Sequence, residues 1–108
     1  MASEPGKPGA RDAGEHDPER LRALLEALHR FPGPFYVSVI ARTDADVEAA
    51  LRATIQAAAT GPLDAWERRP SSGGRYTSHR VTIGCQSVDE ALALYVQVAR
   101  VDGVVTVL

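Results

Sequence analysis

The stretch Phe35-Tyr36-Val37-Ser38-Val39-Ile40-Ala41-Arg42 changes side at every residue. Phe35, Val37, Val39 and Ala41 share one face, and Tyr36, Ser38, Ile40 and Arg42 share the other. Period two of this kind is a strand, apolar on its first face and mixed on its second. The pattern then switches to helical spacing. Thr43 with Asp46 three residues on resembles a capping box, with Asp in the place of Glu. Val47, Ala50, Leu51, Thr54, Ile55 and Ala58 keep the helical period until Gly61 and Pro62 stop it.

Leu63 to Arg69 reads as a short strand anchored by Trp66. Pro70-Ser71-Ser72-Gly73-Gly74-Arg75 is a hairpin connection in which both glycines can supply positive φ. Tyr76 to Cys85 is the returning strand. His79, Val81, Ile83 and Cys85 lie on its apolar face, and Tyr76, Ser78, Arg80 and Thr82 lie on the other. If Pro70 pairs with Arg75, antiparallel counting sets Trp66 opposite His79. Ser87 with Glu90 forms a second capping box and opens a helix that carries Val88, Ala91, Leu92, Tyr95 and Val98. Leu92, Leu94, Val96 and Val98 also alternate as a strand would, but the cap and the length favour helix. Asp102-Gly103 ends it, and Val104 to Leu108 is a last strand.

Strand, helix, strand, strand, helix, strand, with right-handed β-α-β crossovers, specifies an α+β ferredoxin-like two-layer sandwich. Its four-stranded antiparallel sheet has the first and third strands in the middle. Both helices cover one face and leave the other open to water or a partner. Ahead of this domain, residues 31–108, an amphipathic helix is expected over 18–30. Asp17 can cap it, Pro18 suits its first turn, and Leu21, Leu24, Leu25 and Leu28 form its stripe. That stripe is a candidate cover for the open sheet face. Residues 1–17 are polar, rich in Gly and Pro and aperiodic, and read as a disordered tail.

The chain has 108 residues, 12 basic and 14 acidic, for a net charge of −2. That length suits one core, and that balance disfavours nucleic acid as a partner. The single cysteine, Cys85, excludes an internal disulfide and multi-cysteine zinc patterns. A lone thiol, the lack of a secretory h-region and the lack of an apolar run near 20 residues point to the cytoplasm and away from membranes.

The hairpin is the most suggestive place for chemistry. Ser71 and Ser72 offer hydroxyls, Gly73 and Gly74 offer backbone N–H groups, and Arg68, Arg69, Arg75 and Arg80 lie close by in sequence. Amides in a turn plus guanidinium groups can hold phosphate or carboxylate. The bland alternative is a solvated turn whose arginines guard an edge strand. P-loop spacing is absent. The candidate binding set is therefore Arg69, Ser71, Ser72, Gly73, Gly74, Arg75, Tyr76 and Arg80, with no catalytic residues, no metal and no cofactor. His79 and Cys85 point inward as packed side chains. Tyr36 and Tyr76 on the open face invite comparison with RNA-recognition domains, which stack bases on central-strand aromatics. The Gly-Phe-centred signature of those domains is missing.

Phe31-Pro32-Gly33-Pro34-Phe35, then Arg69-Pro70-Ser71-Ser72-Gly73-Gly74-Arg75-Tyr76, then Val107-Leu108, resemble the YbeD-like family of small bacterial proteins of unknown function. The resemblance runs from about Phe31 to Leu108. It implies a ferredoxin-like fold similar to ligand-binding ACT regulatory domains, and by gene neighbourhood a link to lipoate-pathway enzymes. The family tends to have Lys where Gly73 stands and Asn where Arg75 stands, so one positive charge has moved along the turn.

The expectation is thus a non-enzymatic binding or regulatory module that acts on a partner protein or a small anionic metabolite. An RNA-binding sheet face is the alternative. A small enzyme of the acylphosphatase type comes third, because that chemistry needs an asparagine and the chain has none. The last strand should be a sheet edge, and an uncovered apolar edge invites a second copy to form a homodimer.

Overall fold

The computed structural model describes residues 17–107. The expected disordered tail lies outside the described residues, apart from Asp17. The elements are α1 (Pro18–Leu28), β1 (Gly33–Arg42), α2 (Ala45–Ala58), β2 (Leu63–Pro70), β3 (Tyr76–Cys85), α3 (Val88–Ala99) and β4 (Val104–Val107). The sheet is antiparallel with strand order β2-β3-β1-β4, which is the ferredoxin-like arrangement with the first and third strands central.

The alternation in β1 and β3 decides which face the helices cover. Phe35, Val37, Val39 and Ala41 are buried beneath them, as are Val81, Ile83 and Cys85. Leu51 and Ile55 of α2 and Ala91, Leu94, Tyr95 and Val98 of α3 complete the core. The buried stripe of α3 includes Leu94, while Val88 and Leu92 pack at its margin. Helical spacing, not the competing alternation, therefore governs this segment. Ser87 Oγ accepts the Glu90 N–H at 3.2 Å, as the capping box requires. The Glu90 carboxylate accepts the Gln86 N–H at 2.8 Å and the Thr60 N–H at 2.8 Å, which ties the start of α3 to the α2–β2 connection. Hydrogen bonds from the Gln86 N–H first, and then from the Thr60 hydroxyl, hold the Glu90 carboxyl below the usual carboxylate range.

Four local expectations are corrected. The cap of α2 is Asp44, whose Oδ1 accepts the Asp46 N–H at 2.7 Å, and not Thr43. The helix starts one residue later than the box implied, which frees the Thr43 hydroxyl to bond Thr77 Oγ1 at 2.7 Å. In the hairpin, Pro70 pairs with Thr77 rather than Arg75, so Arg68 faces His79 and Trp66 faces Val81. The turn closes with a Ser71 N–H bond to the Tyr76 carbonyl at 2.8 Å and is longer than the count assumed. A slip of two residues leaves every side chain on its expected face, and this is why the faces were read correctly despite the register. Only Gly74 of the two turn glycines has positive φ, at 73°. Finally, α1 does not cover the open sheet face. It packs against α3, where Leu21 and Leu25 enter the core and Arg22 pairs with Asp89. Leu24 and Leu28 remain 53% and 67% exposed.

His29, which the sequence placed outside the domain, is the C-cap of α1 and pins that helix to β1. Its Nε2 accepts the Tyr36 backbone N–H at 3.3 Å, and Nδ1 lies 3.2 Å from the Leu25 carbonyl. The ring also packs against Phe31, Phe35 and Tyr36.

Candidate functional site

The uncovered face of the sheet is built from the residues that alternate with the core. β1 contributes Tyr36 and Ser38, β3 contributes Tyr76, Ser78, Arg80 and Thr82, and β2 contributes Glu67 and Arg69. The register sets Tyr36 beside Thr82, Ser38 beside Arg80, and Arg80 beside Glu67 on its other flank. Tyr36, Ser38, Thr82, Arg80, Glu67 and Ala65 line a shallow depression of about 360 Å³. Arg69, Ser78, Arg80, Glu67 and Arg68 line a smaller one beside it, of about 180 Å³. No helix among the described residues lies over either, and Tyr36 is 60% exposed.

The predicted site residues divide between two places. Arg69, Tyr76 and Arg80 share the open face. Ser71, Ser72, Gly73, Gly74 and Arg75 form the hairpin tip, where much of the polar capacity serves the turn itself. The Gly74 N–H bonds the Ser71 carbonyl at 2.9 Å, and the Tyr76 N–H bonds Ser71 Oγ at 3.3 Å. The Arg75 carbonyl accepts the Thr43 N–H at 2.9 Å, which fastens the hairpin to the end of β1. The Ser71 and Gly74 amides and the Ser71 hydroxyl thus serve the turn itself, while the guanidinium groups on and beside the sheet keep their donors outward. Ser38 and Thr82 were placed on the outer face but left out of the candidate set, and Glu67 was given no face at all. Their signal was the same alternation that exposed Tyr36, but no residue type among them drew attention.

On the covered side of β2 the polar groups are engaged. Arg68 donates to both Glu48 carboxylate oxygens at 3.0 Å, and Arg52 reaches Glu48 at 3.6 Å while lying 4.2 Å over the Trp66 ring. Trp66 Nε1 donates to His79 Nδ1 at 3.1 Å, with the two rings edge to face. Burial pushes the His79 imidazole below its ordinary value, so it is neutral and carries its proton on Nε2. Burial, then the nearby charge of Glu90, pushes the Cys85 thiol up to about 11. Neither group reaches the open face.

The fold and this surface define a class: a small ferredoxin-like domain with one sheet face uncovered and polar. The chain belongs to the family described as protein of unknown function (DUF493), the YbeD family, whose model matches residues 26–108. No curated protein matches it. No helix among the described residues is long and apolar enough to cross a membrane.

Proposed function

We propose that this protein is a non-catalytic binding module of regulatory type, which holds an anionic group of a partner protein or small metabolite against its open sheet face. The proposal rests on a contrast between arginines. Arg52 and Arg68, on the covered side, are both held by Glu48. Arg69, Arg75 and Arg80 have no ion-pair partner among the described residues, although Glu67 stands directly across from Arg80. Guanidinium groups present paired donors that match carboxylate and phosphate geometry. Tyr36, Ser38 and Thr82 place hydroxyls beside Arg80. Glu67 and the overall charge of −2 temper the potential, which suits a compact anion better than a polyanion such as RNA. The face carries neither thiol nor imidazole, so it favours binding over nucleophilic or acid–base chemistry. A cytoplasmic setting accompanies this proposal through the lone thiol, and an ACT-like regulatory role through the family resemblance.

Thermal unfolding of the intact protein against a panel of carboxylates and phosphorylated metabolites is the test. A ligand selective for the folded state raises the midpoint. Arg69→Ala with Arg80→Ala should abolish that rise, and Arg75→Ala should weaken it without unfolding the domain. A rise that survives the double substitution overturns the proposal. Oligonucleotide binding that falls steeply with salt and is lost in Tyr36→Ala would replace it with the RNA-binding alternative.

A further inference from the structure

At the opposite side of the molecule a cleft of about 290 Å³ opens between the start of α2 and the β1 and β3 strands, lined by Arg42, Thr43, Asp44, Glu48, Thr77 and His79, with Ala45, Arg68 and Pro70 at its rim. Two features of this cleft point to a ligand independently. The first is His79, only 2% exposed. Its Nδ1 accepts from Trp66, which does not border the cleft. The Nε2–H therefore faces away from Trp66 and has no partner among the described residues. A buried donor left unmatched costs about 1–3 kcal/mol, so an acceptor from outside is favoured there. The second is the α2 N-terminus. Asp44 satisfies the Asp46 N–H, whereas the Ala45 and Val47 N–H groups have no intrahelical acceptor.

The remaining groups suit the same ligand. Thr43 and Thr77 share one hydrogen bond between their hydroxyls at 2.7 Å, which leaves one hydroxyl proton to donate outward. Arg42 has no ion-pair partner among the described residues, and its Nη2 lies beside Gly103, near Val47 of the first turn of α2. Gly103, with φ of 100°, permits that approach, because a Cβ there would meet Val47 Cγ2 at 2.5 Å. Both carboxylates of the cleft are already engaged, Asp44 as the cap and Glu48 by Arg68 and Arg52. Asp46, exposed in the first turn, adds one negative charge near the helix start. What remains is a set of donors: an imidazole N–H, a hydroxyl, the Ala45 backbone N–H and one guanidinium.

We infer that this cleft is a binding site for a small oxyanion of the phosphate type, with His79 Nε2–H, the Thr43–Thr77 hydroxyl pair and Arg42 as its principal donors. It is separate from the open sheet face, which lies on the other side of the same strands. Neutral His79 already carries a proton on Nε2, so its contact with the anion needs no proton transfer. The helix N-terminus supplies the matching field.

The test uses the single tryptophan. Because Trp66 is bonded to the other nitrogen of His79, an anion on Nε2 should change its emission. Inorganic phosphate titrated into the intact protein at neutral pH should give a saturable change that chloride at equal ionic strength does not. Thr77→Val should raise the apparent Kd by about fivefold, the loss of one neutral hydrogen bond. Arg42→Ala, a surface substitution, should raise it by about tenfold or more, the loss of a charge-assisted contact. Arg80→Ala should leave it unchanged, which separates this site from the sheet-face proposal. Absence of a saturable change, an equal response to chloride, or an unchanged Kd in Arg42→Ala would each overturn the inference.

Discussion

The two faces of the sheet come from the same strands, yet they are opposite in character. On the covered face Phe35, Val39, Val81 and Ile83 meet the helices with essentially no exposure. One residue along each strand, Tyr36, Ser38, Arg80 and Thr82 face outward and form a shallow polar surface. The arginines divide in the same way. Arg52 and Arg68 are locked to Glu48, and Arg69 and Arg80 on the open face have no carboxylate bound to them among the described residues. The parity of a position on β1 or β3 thus assigns these side chains to the packed core or to the exposed surface.

The strongest way to break that comparison is to truncate neighbours on β1. Phe35→Ala should cost about 3–5 kcal/mol of unfolding free energy, as large-to-small changes in a packed core do. Tyr36→Ala should cost under about 1 kcal/mol, since surface substitutions away from special features do little. Urea unfolding of the pair decides it, and equal losses would mean that the open face is covered in the native assembly.

The covered face should also carry a pH signature. His79 titrates lower in the folded protein than its ordinary 6.5. The unfolded chain then binds a proton that the folded chain refuses, so stability is lost as pH falls below about 6.5. One proton limits the slope to about 1.4 kcal/mol per pH unit. Urea midpoints measured between neutral and mildly acidic pH should show this decline, and His79→Gln should flatten it. The Glu90 carboxyl is held low, so its contribution disappears separately, below its unfolded value of 4.5.

A smaller loss is expected at the start of α3. Ser87→Ala removes the acceptor for the Glu90 N–H and should cost about 1 kcal/mol in the same urea assay. The smallest effect belongs to the open face. Arg80→Ala should change unfolding free energy by no more than about 0.5 kcal/mol while weakening the thermal stabilisation given by ligands of the open face and sparing that given by phosphate in the cleft. A large stability loss there would place Arg80 with the structural arginines and blur the division between the faces.

Much of this architecture was legible before any tertiary structure, because burial on one side of a sheet imposes period two and burial on one side of a helix imposes a period near 3.6. β1, β3 and the capped α3 carry these periods plainly, and they fix the strand order by the rules of handed connections. The open face was legible too, as the other half of the same alternation. The contents of the two candidate sites were not. Arg42 counts as an open-face residue by alternation, but its guanidinium lies beside Gly103 at the start of α2. Of the two glycine amides in the hairpin, that of Gly74 is taken up by the turn itself.

The sequence by itself determined the class of fold, the two faces of the sheet and the strand core, since these follow from local periodicity and from the terminators Gly, Pro and the caps. Tertiary structure alone decided the hairpin register, the entry of Leu94 and of the α1 leucines into the core, and the bond of Thr43 with Thr77, while the contact of Trp66 with His79 was expected but through a register two residues off. Each of these depends on which groups of distant segments come within contact or hydrogen-bond reach, and no local pattern encodes that.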